Sequence, residues 1–373
     1  MPDLRVLYVP TSNAGVGYYR LWSWAVAAHR NRAFHALAPW YQKGMHETHP
    51  WEEDINTAQY HARIMNELWD HVQKADVVIF QMVHTPAALN VFLSVKEARP
   101  DIPVLAEIDD NMMSTPEYNP ASAFYQPGSV FREVAVSQFR AADAMIVSTP
   151  YLKEVYSDLN PNIHVVENSI DFSLWDGLKK DRKHKIRIGW AGGASHDEDL
   201  RIIEPTVMRC LEKSNDIEFC FVHGVPSFFK DIPRVIGIKQ FTRIDKYPAF
   251  LSRRGFDIGL APLVDSAFNR AKSNLRWLEY SAMRVPTVAS DVGHFKETIQ
   301  NGETGLLCRD ERDFEDAILT LAANRKERIR LGRNANQSIR EKFNIDKNIF
   351  KYKSILEEVV KKGQTVKFET EPV

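Results

Sequence analysis

The chain has little cysteine. Cys210, Cys220 and Cys308 are the only three in 373 residues, and their spacing fits no metal-binding pattern. That excludes a disulfide-stapled scaffold or a zinc module and leaves three buried, reduced thiols. Long hydrophobic runs are missing too: no stretch approaches the roughly 20 apolar residues of a membrane span. Met1-Pro2-Asp3-Leu4-Arg5 leads into only a short apolar run, so no secretory leader is expected. Net charge is nearly absent, with 48 Lys+Arg against 49 Asp+Glu. What remains is 44% hydrophobic and 26% charged, the composition of a globular protein expected in the cytoplasm.

The overall balance hides an asymmetry. Residues 1–178 hold 12 Lys+Arg and 21 Asp+Glu, a net of −9, whereas the remainder holds 36 and 28, a net of +8. A basic second half suits a phosphate-bearing ligand. An acidic first half disfavours broad electrostatic capture of DNA there. A length of 373 suits two domains, each able to bury its own core.

The most informative stretch is Asn269 to Met283. It lies between two strand-like runs, Phe256 to Leu263 and Pro286 to Ser290. Strand, loop, helix, strand places the loop at the carboxyl end of a sheet, where α/β proteins bind ligands. Ser273 is expected as the N-cap, so the N–H groups of Asn274 and Leu275 point out of the helix start. Those donors, the helix dipole and the charge on Lys272 favour an anion such as a diphosphate. Glu279, about two turns in, is placed to accept hydrogen bonds from a ribose. The alternative is a helix of any doubly wound domain with a solvated Lys and Glu.

This segment resembles the donor-binding helix of retaining GT-B glycosyltransferases (glycosyl transferases group 1, family-4-like). In that family a Glu-x7-Glu pair brackets the helix. Glu279 matches the second Glu and is followed by Tyr280-Ser281-Ala282-Met283. Ala271 stands at the first, so the sugar-side carboxylate is missing. Lys272-Ser273-Asn274-Leu275 occupies the place of the family's Gly-Phe-Gly turn. Asn301-Gly302-Glu303-Thr304-Gly305-Leu306-Leu307 matches a late family loop, and Glu167-Asn168-Ser169-Ile170-Asp171 resembles its Pro-Asn-Gly-Ile-Asp segment.

In the first half, residues 4–10 read as a buried strand, followed by a turn with Gly15 and Gly17 and a helical pattern through Trp22 and Trp24. Such a turn lets backbone approach a ligand. The resemblance puts Gly15, Gly17 and Arg20 near donor phosphates, with Arg20 reaching an anion. Residues 35–75 read as loops and one helix over about 57–73. Residues 76–81 form a strand that sets His84 at its carboxyl end, where it either donates to substrate or is a satisfied structural histidine. The strand 104–108 ends in Asp109-Asp110. One of the pair is an acceptor-site base or hydroxyl anchor, or both cap the next loop. Residues 112–128 read as a lid or acceptor loop.

Residues 186–190 open the second half as a strand, followed by Gly192 and Gly193 in a turn suited to phosphate approach. Ser195 and Glu198 have capping-box spacing. The family's Arg and Lys phosphate pair is out of register here, so Arg270 or Lys272 substitutes. His223 follows the strand 217–222 in the nucleobase region.

The resemblance implies a GT-B fold: two Rossmann-like domains facing a central cleft, with a C-terminal helix crossing back to the first. The expected domains are 1–178 on the acceptor side, 179–345 for the donor, and a returning tail over 346–373, with Lys179 to Lys185 as linker. The implied activity is retaining sugar transfer from a UDP- or GDP-sugar to an acceptor hydroxyl, with no metal or other cofactor. Candidate catalytic residues are His84, Asp109, Asp110 and Lys272. Donor-binding candidates are Gly15, Gly17, Arg20, Gly192, Gly193, His223, Arg270, Lys272, Ser273, Asn274, Leu275 and Glu279. Gly-Val-Gly-Tyr-Tyr-Arg at 15–20, Glu-Ile-Asp-Asp-Asn at 107–111 and Asn119-Pro120 are similar to phage-type glycosyltransferases, some of which modify hydroxymethylpyrimidines in DNA within the host cytoplasm. A cell-surface polysaccharide or lipid-linked acceptor, or a nucleotide-sugar epimerase of the same architecture, stands as the alternative.

Overall fold

The strand Val77–Gln81 shows how the first sheet forms. All five residues are buried, as expected of a strand covered on both faces. The computed structural model describes residues 4–11, 15–38, 68–181, 184–193, 196–222, 224–239 and 244–368. Within them the first sheet is parallel, with β1 (Arg5–Val9), β2 (His35–Leu37), β3 (Val77–Gln81), β4 (Val104–Ile108), β5 (Ala144–Val147) and β6 (Ile163–Val165) in the order β2-β1-β3-β4-β5-β6. The second holds β7 (Ile186–Ala191), β8 (Ile217–Val222), β9 (Val235–Ile238), β10 (Ile258–Ala261), β11 (Thr287–Ser290) and β12 (Leu306–Cys308), ordered β12-β11-β10-β7-β8-β9. Both orders reverse direction once, between β1 and β3 and between β7 and β10. At such a point adjacent loops diverge and leave a crevice beyond the carboxyl ends of the strands.

Local chemistry starts the connecting helices. Thr85 and Thr149 cap the helices Pro86–Ala98 and Pro150–Tyr156, each accepting a hydrogen bond 3.2 Å from the backbone N–H three residues on. A proline in the first turn of each loses no hydrogen bond. The strand β2 was not expected; its three residues are too few and too exposed to carry a pattern. The helix expected over 57–73 falls largely outside the described residues.

The described residues form two compact units. One comprises Met1–Thr115, Ala121–Asn168 and Ile345–Val373; the other comprises Pro116–Pro120 and Ser169–Asn344. The division falls at Asn168–Ser169 rather than at 178, so Lys179 and the residues after it lie inside the second unit. Packing explains this. Ile170 donates its N–H to Phe343 O at 2.8 Å, and Phe172 and Trp175 join the apolar core around Trp277 and Tyr280. The last helix, Ile345–Phe368, packs within the first unit. Its Tyr352 ring lies 5.0 Å from Trp24, and its Asp346 pairs with Arg30 at 2.6 Å. Among the described residues no helix is long and apolar enough to cross a membrane.

Candidate functional site

The second unit assembles its site at the β7/β10 reversal. Helix Leu275–Ala282 is fixed there by the Tyr280 hydroxyl. That hydroxyl accepts from Ala191 N–H at 3.1 Å, at the end of β7, and donates to Leu260 O at 3.2 Å, in β10. Gly259 makes room for the ring, since a Cβ there would lie 2.3 Å from it. Trp277 adds a second anchor, its indole N–H donating to Thr304 O at 2.9 Å.

This anchoring brings the helix start against the glycine turn after β7. Arg276 donates through Nε to Ala191 O at 3.0 Å, and its guanidinium lies 5.2 Å from the Trp190 ring centre. A Cβ on Gly192 would stand 2.5 Å from that ring and 2.7 Å from Arg276 Nη2, whereas a Cβ on Gly193 would meet nothing within 4 Å. Gly192 is therefore closed by its neighbours and Gly193 is open. The ammonium of Lys272 lies 4.4 Å over the Phe268 ring. Beside the turn, His196 places Nδ1 2.7 Å from Asp199 Oδ2. Asp199 is buried, and its other oxygen accepts from Val264 N–H at 2.8 Å and Asn269 Nδ2 at 2.7 Å.

The cap is Asn274, not Ser273, because the helix begins one residue later than the Ser273 reading requires. Asn274 is fully buried, and neither atom of its side-chain amide has a hydrogen-bond partner among the described residues. Leaving such groups unpaired costs about 1–3 kcal/mol each. Leu275 is the first helical residue and is half-buried. Glu279 is buried and accepts a hydrogen bond from the Tyr247 hydroxyl. Burial first, and the Glu279 charge next, push that hydroxyl well above its ordinary range. Arg270 holds Asp265 at 2.6 and 3.0 Å, both side chains more than half exposed. Helix Asp197–Arg201 has His196 at its cap position, which shifts it from the expected capping box; Ser195 lies outside the described residues, as does His223.

The first unit treats its candidates differently. Arg20 presents no cation to a ligand: it is 2% exposed, with Nε on Glu107 at 2.6 Å and Nη1 on Val166 O and Asn168 Oδ1 at 2.7 and 2.8 Å. Burial raises the Glu107 carboxyl, and Arg20 opposes that rise. Gly15, in the short turn Gly15–Gly17, is open, while Gly17 is buried. His84 Nδ1 lies 2.6 Å from the Tyr125 hydroxyl. Burial lowers the His84 pKa and so keeps the ring neutral. Burial, then the Asp110 charge, push the Tyr125 hydroxyl up to about 12. Asp109 and Asp110 are half-buried; their backbone carbonyls accept from Ser148 Oγ at 3.3 Å and from the Tyr156 hydroxyl at 2.7 Å.

Sequence reasoning missed Arg276, His196, Asp199 and Asn269. The signal available for His196 and Asp199 was a His and an Asp three positions apart, the His itself three positions past a double glycine.

Residues 229–324 match the family Glycosyl transferases group 1. That span includes β10, the loop after it and helix Leu275–Ala282. N-acetyl-alpha-D-glucosaminyl L-malate synthase of Bacillus anthracis is 30% identical over 231 residues, 58% of this chain and 59% of that protein. The chain thus spans about three-fifths of the length of this curated relative. Among solved structures, sucrose-phosphate synthase from Thermosynechococcus elongatus superposes with TM-score 0.67 at 14% identity, covering 96% of this chain and 100% of its own. Anabaena HepE, solved with UDP and glucose, gives TM-score 0.65 at 15% identity over 94% and 98%. The two six-stranded sheets and these likenesses establish a two-domain, Rossmann-like GT-B fold.

Proposed function

We propose that the chain is a glycosyltransferase that takes its sugar from a nucleoside diphosphate sugar and transfers it, with retention, to an acceptor hydroxyl. The observation that carries this reading is the meeting of the open Gly193 turn with the helix start at Asn274–Arg276. Backbone N–H groups at that start, the Arg276 guanidinium and the Lys272 ammonium supply positive potential where a diphosphate departs. Preorganised donors of this kind lower the barrier without a protein nucleophile. Gly193 gives the phosphates an approach that a side chain would block. Glu279 holds the ribose, and its hydrogen bond from Tyr247 keeps the carboxylate oriented. A match to a glycosyltransferase family over 229–324 and a UDP complex of a protein of like fold support the donor class.

On the acceptor side the first unit offers His84, Tyr125 and Asp110, a neutral imidazole with a hydroxyl and a carboxylate that can orient an acceptor hydroxyl. The curated relative is named for joining a sugar to malate, which favours a small-molecule or glycan hydroxyl over a DNA base. Hydroxymethylpyrimidine DNA is the second class to be screened.

The test is a screen of UDP- and GDP-sugars against glycans, small hydroxy acids, and hydroxymethylcytosine and hydroxymethyluracil DNA. Nucleotide release would be followed, and the product anomer assigned by NMR. Release that depends on both an acceptor and Lys272, with a retained anomer, is expected. Donor converted to another sugar nucleotide without any acceptor would replace this reading with an epimerase.

A further inference from the structure

We propose that His196, oriented by Asp199, is a ligand of the donor diphosphate and takes up a proton when the donor binds. The assignment rests on the nucleotide-sugar reading and adds to it a titrating group that the family resemblance did not supply.

Three observations converge on this residue. Asp199 is fixed by Val264 N–H and Asn269 Nδ2, and it holds His196 Nδ1 at 2.7 Å. A carboxylate in that position fixes the tautomer, with the proton on Nδ1 and the lone pair on Nε2. Among the described residues Nε2 has no hydrogen-bond partner, although the ring is largely buried. The ring also lies in the cationic corner of the site: its centre is 6.0 Å from the Trp190 ring, over which Arg276 sits.

The charges around His196 set the direction of proton flow. Asp199 favours the charged ring; Arg276 and Lys272 disfavour it. The Tyr118 hydroxyl, pushed up first by burial, also feels the Asp199 charge. Burial, the largest effect, and then Arg276 hold the ring below its ordinary 6.5, so it is neutral at pH 7 without ligand. A diphosphate against Nε2 reverses that balance, because its negative charge compensates Arg276 and Lys272 and accepts a hydrogen bond from the imidazolium. The ring then gains a proton from solvent. As the sugar–phosphate bond breaks and its electron pair passes to the phosphate oxygen, the same N–H is already directed at the departing charge.

Because donor binding takes up a proton, affinity strengthens as pH falls through neutrality and levels off once the ligand-free ring is itself protonated. A nucleotide sugar carries no phosphate that titrates in this range, so the uptake belongs to the protein. The experiment is calorimetric titration of UDP-glucose, and in parallel GDP-glucose, into the full chain at pH 7 in two buffers of different ionisation enthalpy. Proton uptake by the wild type is expected. His196→Gln, confirmed folded by thermal melting, is expected to lose the uptake and bind about 10-fold or more weakly. Asp199→Asn, with His196 in place, is expected to reduce the uptake. Binding without proton uptake, or the same uptake in His196→Gln, overturns the assignment alone. If no nucleotide sugar of the screen binds the wild type, the donor reading falls and the assignment falls with it.

Discussion

Each sheet begins with a strand, a glycine turn and a helix, yet the two units treat their arginines in opposite ways. In the first unit Arg20 turns inward and is neutralised by Glu107 within the core. In the second, Arg276 ends against a backbone carbonyl and an indole ring, with no ion-pair partner among the described residues. Arg20 follows its own glycine turn, whereas Arg276 reaches the other turn from a helix 85 positions on; one charge is closed into the fold, and the other keeps its electrostatic field for something outside it. A cation at a strand end marks a ligand site only when the fold has not already supplied its counter-charge.

Four measurements break or sharpen that contrast. Arg20→Ala leaves Glu107 buried and uncompensated, and a loss of about 3–5 kcal/mol is expected in denaturant unfolding. Unchanged stability would mean that the inward arginine is not structural. Arg276→Ala is expected to lower kcat/KM about 100-fold with the nucleotide sugar identified in the screen, with little change in Tm. An equal loss of stability would erase the difference between the two arginines. Gly192→Ala places a methyl group 2.7 Å from Arg276 Nη2, so a roughly tenfold loss of activity is expected through displacement of that side chain. Gly193→Ala meets nothing within 4 Å, so it should fold normally, and any defect it shows should be in donor affinity.

The smallest effect concerns His84. Burial lowers its folded pKa below the ordinary 6.5, so the unfolded chain binds the proton more readily. Stability is therefore lost as pH falls from about 6.5 towards the folded value, and none of this loss appears above 6.5. His84→Asn should flatten that limb of a stability–pH profile measured by thermal unfolding.

Where the sequence carried a period or a local capping signal, the structure follows it closely. The strand 104–108 falls at the expected residues, and Pro150 opens its helix behind Thr149. What could not be read was pairing across long separations. Arg20 looks like an anion ligand until Glu107 is brought to it from 87 positions away. Arg276 looks like an ordinary helix residue until Ala191, 85 positions earlier, is brought beneath it. The choice of Asn274 over Ser273 as cap turned on a one-residue shift of the helix start, which no composition signal sets.

The placement of the last helix bears on how the protein is made. Ile345–Phe368 supplies Tyr352 to the cluster of Trp24 and Phe34, residues that leave the ribosome hundreds of positions earlier. Every residue of the second unit has been synthesised by Asn344, before that helix exists. The residues of the second unit therefore all emerge before the first unit's last helix. The first unit is thus the one completed last, when Tyr352 reaches Trp24 and Phe34.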